Sequence, residues 1–136
     1  MIYNHRLRIP ASTSATAPYS EVMPVGFGVI KRCEVYIPTG SAGLAGLRVL
    51  RGAYQLYPTS PGQWFYGDDV TIFVNDSYEF IDPPYAVEVQ GYNDDTSYDH
   101  DIIVRLEILP PSEITNQNLL ALLFTNPTKA NLPDGM

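Results

Sequence analysis

A chain of 136 residues is enough for one ordinary domain, and a 45% hydrophobic share excludes a disordered polypeptide. Fifteen acidic against eight basic residues give a formal charge of −7, so long-range repulsion argues against direct nucleic-acid binding or an anionic membrane surface. Charged residues amount to only 17% while tyrosines number ten, so part of the surface is expected to be amphipathic ring rather than charge, as suits a contact face.

Residues 1–9 alternate cleanly, with Tyr3, His5, Leu7 and Ile9 on one side and Asn4, Arg6 and Arg8 on the other, which predicts a strand. Residues 10–18, Pro-Ala-Ser-Thr-Ser-Ala-Thr-Ala-Pro, have neither periodicity nor a large apolar side chain, and read as a linker that cannot anchor itself. Residues 1–24 are therefore expected to form an N-terminal arm. Its strand would add to a sheet edge of a partner, with Tyr3, Leu7 and Ile9 filling alternate pockets. Further on, Cys33, Val35 and Ile37 alternate with Arg32, Glu34 and Tyr36 in one or two strands that stop at Pro38. The lone Cys33 reads as a small buried hydrophobe.

Gly40, Gly43 and Gly46 fall at every third position but lack the Gly-Lys-Ser/Thr ending of a phosphate loop, so a plain loop is expected. Residues 47–57 form the next strand or strand pair, with Gly52 as a bulge or bend. Trp64, Phe65 and Tyr66 then lie together between a Pro-Gly and a Gly-Asp turn. Alternation exposes at least one ring, and a sugar platform, a protein interface and a plug for the end of a sandwich all remain open.

Three strand runs follow, at residues 69–74, 85–90 and 101–108, separated by Asn75-Asp76-Ser77, Asp82-Pro83-Pro84 and Asn93-Asp94-Asp95-Thr96-Ser97, residue types that close turns. The last of these loops is acidic. A calcium site drawn from Asp94, Asp95, Asp99 and Asp101 lacks the glycine and the twelfth-position Glu of an EF-hand, and turn formation is the preferred reading. After Pro110-Pro111, Ser112 or Thr115 caps a helix to about Phe124. Leu119, Leu120, Leu122 and Leu123 make it apolar all round, which predicts burial between subunits. Residues 126–136 read as an irregular tail.

His5 and His100 are the ordinary candidates for a general base, but neither sits in a nucleophile-elbow or close-spaced metal pattern. No enzyme activity, cofactor or resident metal is expected. The N-terminus has no signal-peptide apolar core, and the longest purely apolar run, residues 119–124, is too short to span a bilayer. Six of the cations, Arg6, Arg8, Lys31, Arg32, Arg48 and Arg51, precede residue 52, which predicts polarity between two faces of the molecule.

Seven or eight short strands with turns at roughly ten-residue intervals predict an all-β fold, an antiparallel β-sandwich or jelly roll. It would comprise the arm (1–24), a core (25–110) and a C-terminal helix with tail (111–136). This layout resembles the small jelly-roll decoration (cement) and minor capsid proteins of tailed phages and similar viruses; the resemblance is architectural and carries over no residue. It implies a non-enzymatic virion protein, assembled in the host cytoplasm, that forms a homo-oligomer, a trimer above all, on the capsid surface and staples major capsid subunits. The competing reading is a carbohydrate- or receptor-binding sandwich using Trp64, Phe65 and Tyr66.

Overall fold

The computed structural model describes residues 1–110, and these hold nine strands in two antiparallel sheets. The first sheet runs β1 (Ile2–Ile9), β9 (His100–Leu109), β3 (Gly28–Ile37), β7 (Val70–Phe80). The second runs β2 (Tyr19–Pro24), β8 (Ala86–Asn93), β4 (Ala45–Arg51), β5 (Tyr54–Tyr57), and the two-residue β6 (Phe65–Tyr66) also pairs with β4. Period-two alternation puts Leu7, Ile9, Cys33, Val35, Ile102, Val104 and Leu106 of the first sheet against Leu47, Val49, Val87 and Val89 of the second, all essentially excluded from water. Burial lifts the Cys33 thiol to about 12, so it stays protonated as the expected buried hydrophobe.

β1 lies on its own chain's sheet. It pairs with β9 from Ile2 opposite Glu107 to Ile9 opposite His100. Leu7 and Ile9 are fully enclosed and rest on the backbone of Gly91, where an added Cβ would meet both side chains. The residues expected to be an unanchored linker are pinned through main-chain groups: Ala11 N–H donates to Asp99 Oδ1 (2.9 Å), Ser12 N–H to the Asp95 carbonyl (2.9 Å), and Thr13 exchanges both backbone bonds with Asn93 (2.9 and 2.8 Å). Residues 19–24 then form β2 on β8. The segment expected as an arm thus supplies one strand to each sheet, held where side-chain patterning gives no sign, by backbone hydrogen bonds.

One other boundary differs from expectation. Asn75-Asp76-Ser77 is not a turn; β7 continues through it, and Asp76 and Ser77 oppose Lys31 alone, a bulge that absorbs the polar residues without ending the strand. Residues 47–57 are a hairpin, with β4 and β5 joined by a two-residue turn at Gly52-Ala53. β3 is one strand, also bulged after Ile30, so its inward residues switch from even to odd numbers. The helix expected at residues 112–124, with Leu119, Leu120, Leu122 and Leu123, lies outside the described residues.

Polar side chains close both long edges of the sandwich. Between β1 and β2, the Glu21 carboxylate takes Tyr19 OH (2.7 Å) on one oxygen and His5 Nε2 (2.8 Å) on the other, and the Tyr19 bond, with help from His5, holds Glu21 below its ordinary range. Between β5 and β7, the buried Tyr57 hydroxyl donates to Asp76 Oδ2 (2.7 Å), and burial, then Asp76, push that phenol far up. The bulge in β7 therefore has an occupant: it lets Asp76 reach the opposite sheet.

Candidate functional site on the outer face of the second sheet

The outward positions of β8 are Glu88, Gln90 and Tyr92, and they stand in cross-strand rows with β4, β2 and β6. One row is Tyr92, Gly46, Tyr66; the next is Ser20, Gln90, Arg48. Rows on one face of a strand are ~6.6 Å apart, so neighbouring rows touch through long side chains. Gly46 is required here by close approach: an added Cβ would collide with the Tyr92 ring, which lies across the glycine towards Tyr66.

Trp64 is half-buried against this face. Its ring meets the Tyr92 ring edge-on, with centroids 4.9 Å apart at 84°, and the Arg48 guanidinium covers it at 4.2 Å from the centroid. Arg48 Nε donates to Gln90 Oε1 (2.9 Å), Gln90 Nε2 donates to Glu88 Oε2 (3.4 Å), and Ser20 Oγ hydrogen-bonds the same carboxylate oxygen. A chain of satisfied polar groups therefore fixes Arg48 over Trp64, and Trp64 in turn fixes Tyr92.

Of the three aromatics singled out in the sequence, the structure exposes one. Tyr66 is 62% accessible, Phe65 points into the core opposite Leu47, and Trp64 buttresses its neighbours. Tyr92, which the sequence reading passed over, completes the surface. Its signal was present in the outward phase of Glu88, Gln90 and Tyr92, but the pairing with Gly46 and Tyr66 is a long-range one. Burial, then the nearby Asp94 carboxylate and Tyr66, raise the Tyr92 hydroxyl.

Beyond Tyr92 lies a shallow dimple of about 260 Å³ lined by Ser12, Thr13, Ser14, Asn93, Asp94 and Thr96. Asn93 shapes it from beneath: its side-chain amide donates to the Ile9 carbonyl (3.2 Å) and the Tyr98 carbonyl (2.9 Å) and accepts from Asp95 N–H (3.0 Å). The acidic loop is built as turn chemistry predicts. Asp95 Oδ1 accepts from Ser97 and Tyr98 N–H, its Oδ2 meets His100 Nε2 (2.8 Å), and those contacts, Ser97 first and then His100, hold its carboxyl down. Asp99 binds the Ala11 N–H and lies 3.6 Å from Arg8, and Asp101 lies 3.4 Å from Arg8. Among the described residues no three His, Cys, Asp or Glu side chains converge in a metal-binding cluster.

The other candidates are placed as follows. Tyr3 is half-buried with its hydroxyl over Gly26, and Leu7 and Ile9 are core residues. The glycine-rich loop does gather backbone N–H groups on an anion, but the anion is the chain's own: Asp68 Oδ1 accepts from Gly40 (2.8 Å) and Ala42 (3.0 Å), which lowers its pKa, Ala42 contributing most. The outer face of the first sheet carries Arg6, Arg8, Arg32 and Arg105 interleaved with Glu34, Asp101 and Glu107. Arg105 Nη1 bonds Glu34 Oε2 (2.9 Å), and the Arg32 guanidinium sits 4.1 Å over Phe73, which is 52% exposed.

No protein-family model matches the chain, and no curated protein matches it.

Proposed function

We propose that the protein is a non-enzymatic structural subunit of a virus particle that clusters on the capsid surface and cements neighbouring major capsid subunits. The observation that carries the reading is the strand order β1-β9-β3-β7 facing β2-β8-β4-β5. Up to β4 successive strands alternate between the sheets, β5 pairs with β4 in the second, and in each sheet β9 or β8 returns beside β1 or β2, the double Greek key of a jelly roll, an architecture that recurs in viral capsid domains. The warrant is analogy of fold. A second support is the outer face of the first sheet, where arginines alternate with carboxylates around exposed Phe73 (52%) and Ile2 (64%). Arginine and aromatic side chains are the residue types that protein interfaces favour.

With β1 folded into its own sheet, this face takes the contact role first assigned to Tyr3, Leu7 and Ile9. The partners are further copies of the chain, as a trimer, and the major capsid protein; the site of action is the surface of the virion, after assembly in the host cytoplasm. The test is co-sedimentation of the full chain with empty shells of the major capsid protein of the same genome, alongside light scattering of the free protein. Binding to shells, lost in Arg32→Glu/Phe73→Ala, is the expected result. A chain that stays monomeric and in the supernatant overturns the proposal.

A further inference from the structure

We propose that the outer face of the second sheet, from Tyr66 across Tyr92 to the dimple at Asp94, binds a neutral glycan. Three features of this surface suit a saccharide. The first is the pair of rings. Tyr66 stands open to solvent, and the Tyr92 ring reaches over Gly46 in the same cross-strand row, so the glycine puts no side chain between the two. A pyranose presents a patch of C–H groups on one face, slightly positive, which suits the negative face of an aromatic ring; the hydroxyls around its rim then seek hydrogen bonds.

The second feature is rigidity. Trp64 is held between Arg48 and the edge of Tyr92, and Arg48 is held by Gln90, which in turn reaches Glu88. A ring already fixed loses little entropy when a ligand stacks on it. Trp64 therefore acts as a buttress, with one face already taken by Arg48; the ring it fixes is Tyr92, and Tyr66 is the open ring beside it in the same cross-strand row.

The third feature is the chemistry of the dimple and of the charges around it. Among the described residues, the Ser12 and Thr96 hydroxyls and the Asp94 carboxylate line it without a side-chain hydrogen-bond partner, beside a ledge whose own polar groups are already paired. Hydroxyls with one acceptor carboxylate match the donors of a sugar rim. Among the described residues the cation on this face is Arg48, whose Nε is bonded to Gln90 and whose guanidinium lies over Trp64, while Asp94 and a net charge of −7 repel an anion. A uronic or sialylated glycan is thus disfavoured and a neutral one is not.

This inference does not rest on the capsid reading, since it concerns the opposite sheet and the free protein. The experiment is titration of the full chain with neutral gluco-, manno-, galacto- and xylo-oligosaccharides and with oligogalacturonate, followed by Trp64 fluorescence and calorimetry. Trp64 is the chain's single tryptophan, so its emission reports on this face alone. At least one neutral oligosaccharide should bind and shift that emission. Tyr66→Ala should weaken it about tenfold, the loss of one aromatic contact, and Tyr66→Phe by less than about threefold. Asp94→Ala should weaken it independently of Tyr66, and all three changes lie at the surface, so unchanged melting temperatures verify the fold. Absence of binding by every neutral sugar overturns the proposal, as does binding of oligogalacturonate alone or binding that survives both Tyr66→Ala and Asp94→Ala.

Discussion

Replacing Ile9 by alanine separates a strand that belongs to the core from one that waits for a partner. Ile9 is fully enclosed, its carbonyl accepts a hydrogen bond from the Asn93 amide, and its side chain rests with Leu7 on Gly91 of the facing sheet. A buried Ile→Ala change costs about 2–5 kcal/mol, through lost burial and the cavity left behind. With a denaturant slope of about 2 kcal/mol per molar urea, the unfolding midpoint should fall by roughly 1–2.5 M. Leu7→Ala should cost a similar amount. Because both side chains share Gly91 as a neighbour, the double variant should lose less or more than the sum, and against a total stability of about 5–15 kcal/mol it approaches unfolding. Ile2→Ala is the control: the same strand, but 64% exposed, with an expected change within about 0.5 kcal/mol. In hydrogen exchange, the β1 amides that face β9 should be protected as well as those of β9 itself. If Ile9→Ala costs under about 1 kcal/mol and these amides exchange at unfolded rates, β1 does not belong to the core of the free protein, and the partner-seeking arm is restored.

Acid should destabilise the fold through three carboxylates whose pKa values are lowered: Glu21 by Tyr19 and then His5, Asp68 by the Ala42 and Gly40 amides, and Asp95 by the Ser97 amide and then His100. Each contributes stability that is complete above its unfolded value, about 4.3 for Glu and 3.9 for Asp, and is lost as pH falls through the lower folded value. Glu21→Gln, Asp68→Asn and Asp95→Asn combined should therefore flatten the acid limb of a stability–pH curve, and an unchanged limb would contradict these contacts. Chelation by EDTA should leave the melting temperature where it was; a drop reversed by Ca²⁺ would return Asp94, Asp95, Asp99 and Asp101 to consideration as ligands.

The sequence by itself determined what is local and periodic. The alternations in residues 2–9, 33–37 and 101–108 are strands with the inward residues that the pattern names, Cys33 is buried, and the Asn93–Ser97 run turns on its own side chains, because a period of two and short-range Asx bonds need no knowledge of the partner strand. Tertiary structure decided everything that depends on which groups meet. Alternation in residues 1–9 is the same whether the neighbouring strand is β9 or a foreign edge; pairing with β9 and the backbone bonds at Ala11, Ser12 and Thr13 chose the first. Asn75, Asp76 and Ser77 are turn-forming residues that a bulge opposite Lys31 and a hydrogen bond from Tyr57 kept in a strand. The surface of Tyr66, Tyr92 and Trp64 needed three strands brought into register around Gly46, residues separated by up to 46 positions in the chain. Side-chain patterning encodes which face of a strand turns inward, but register and neighbour are set by the summed backbone pairing and close packing of the whole sandwich, which no single segment carries.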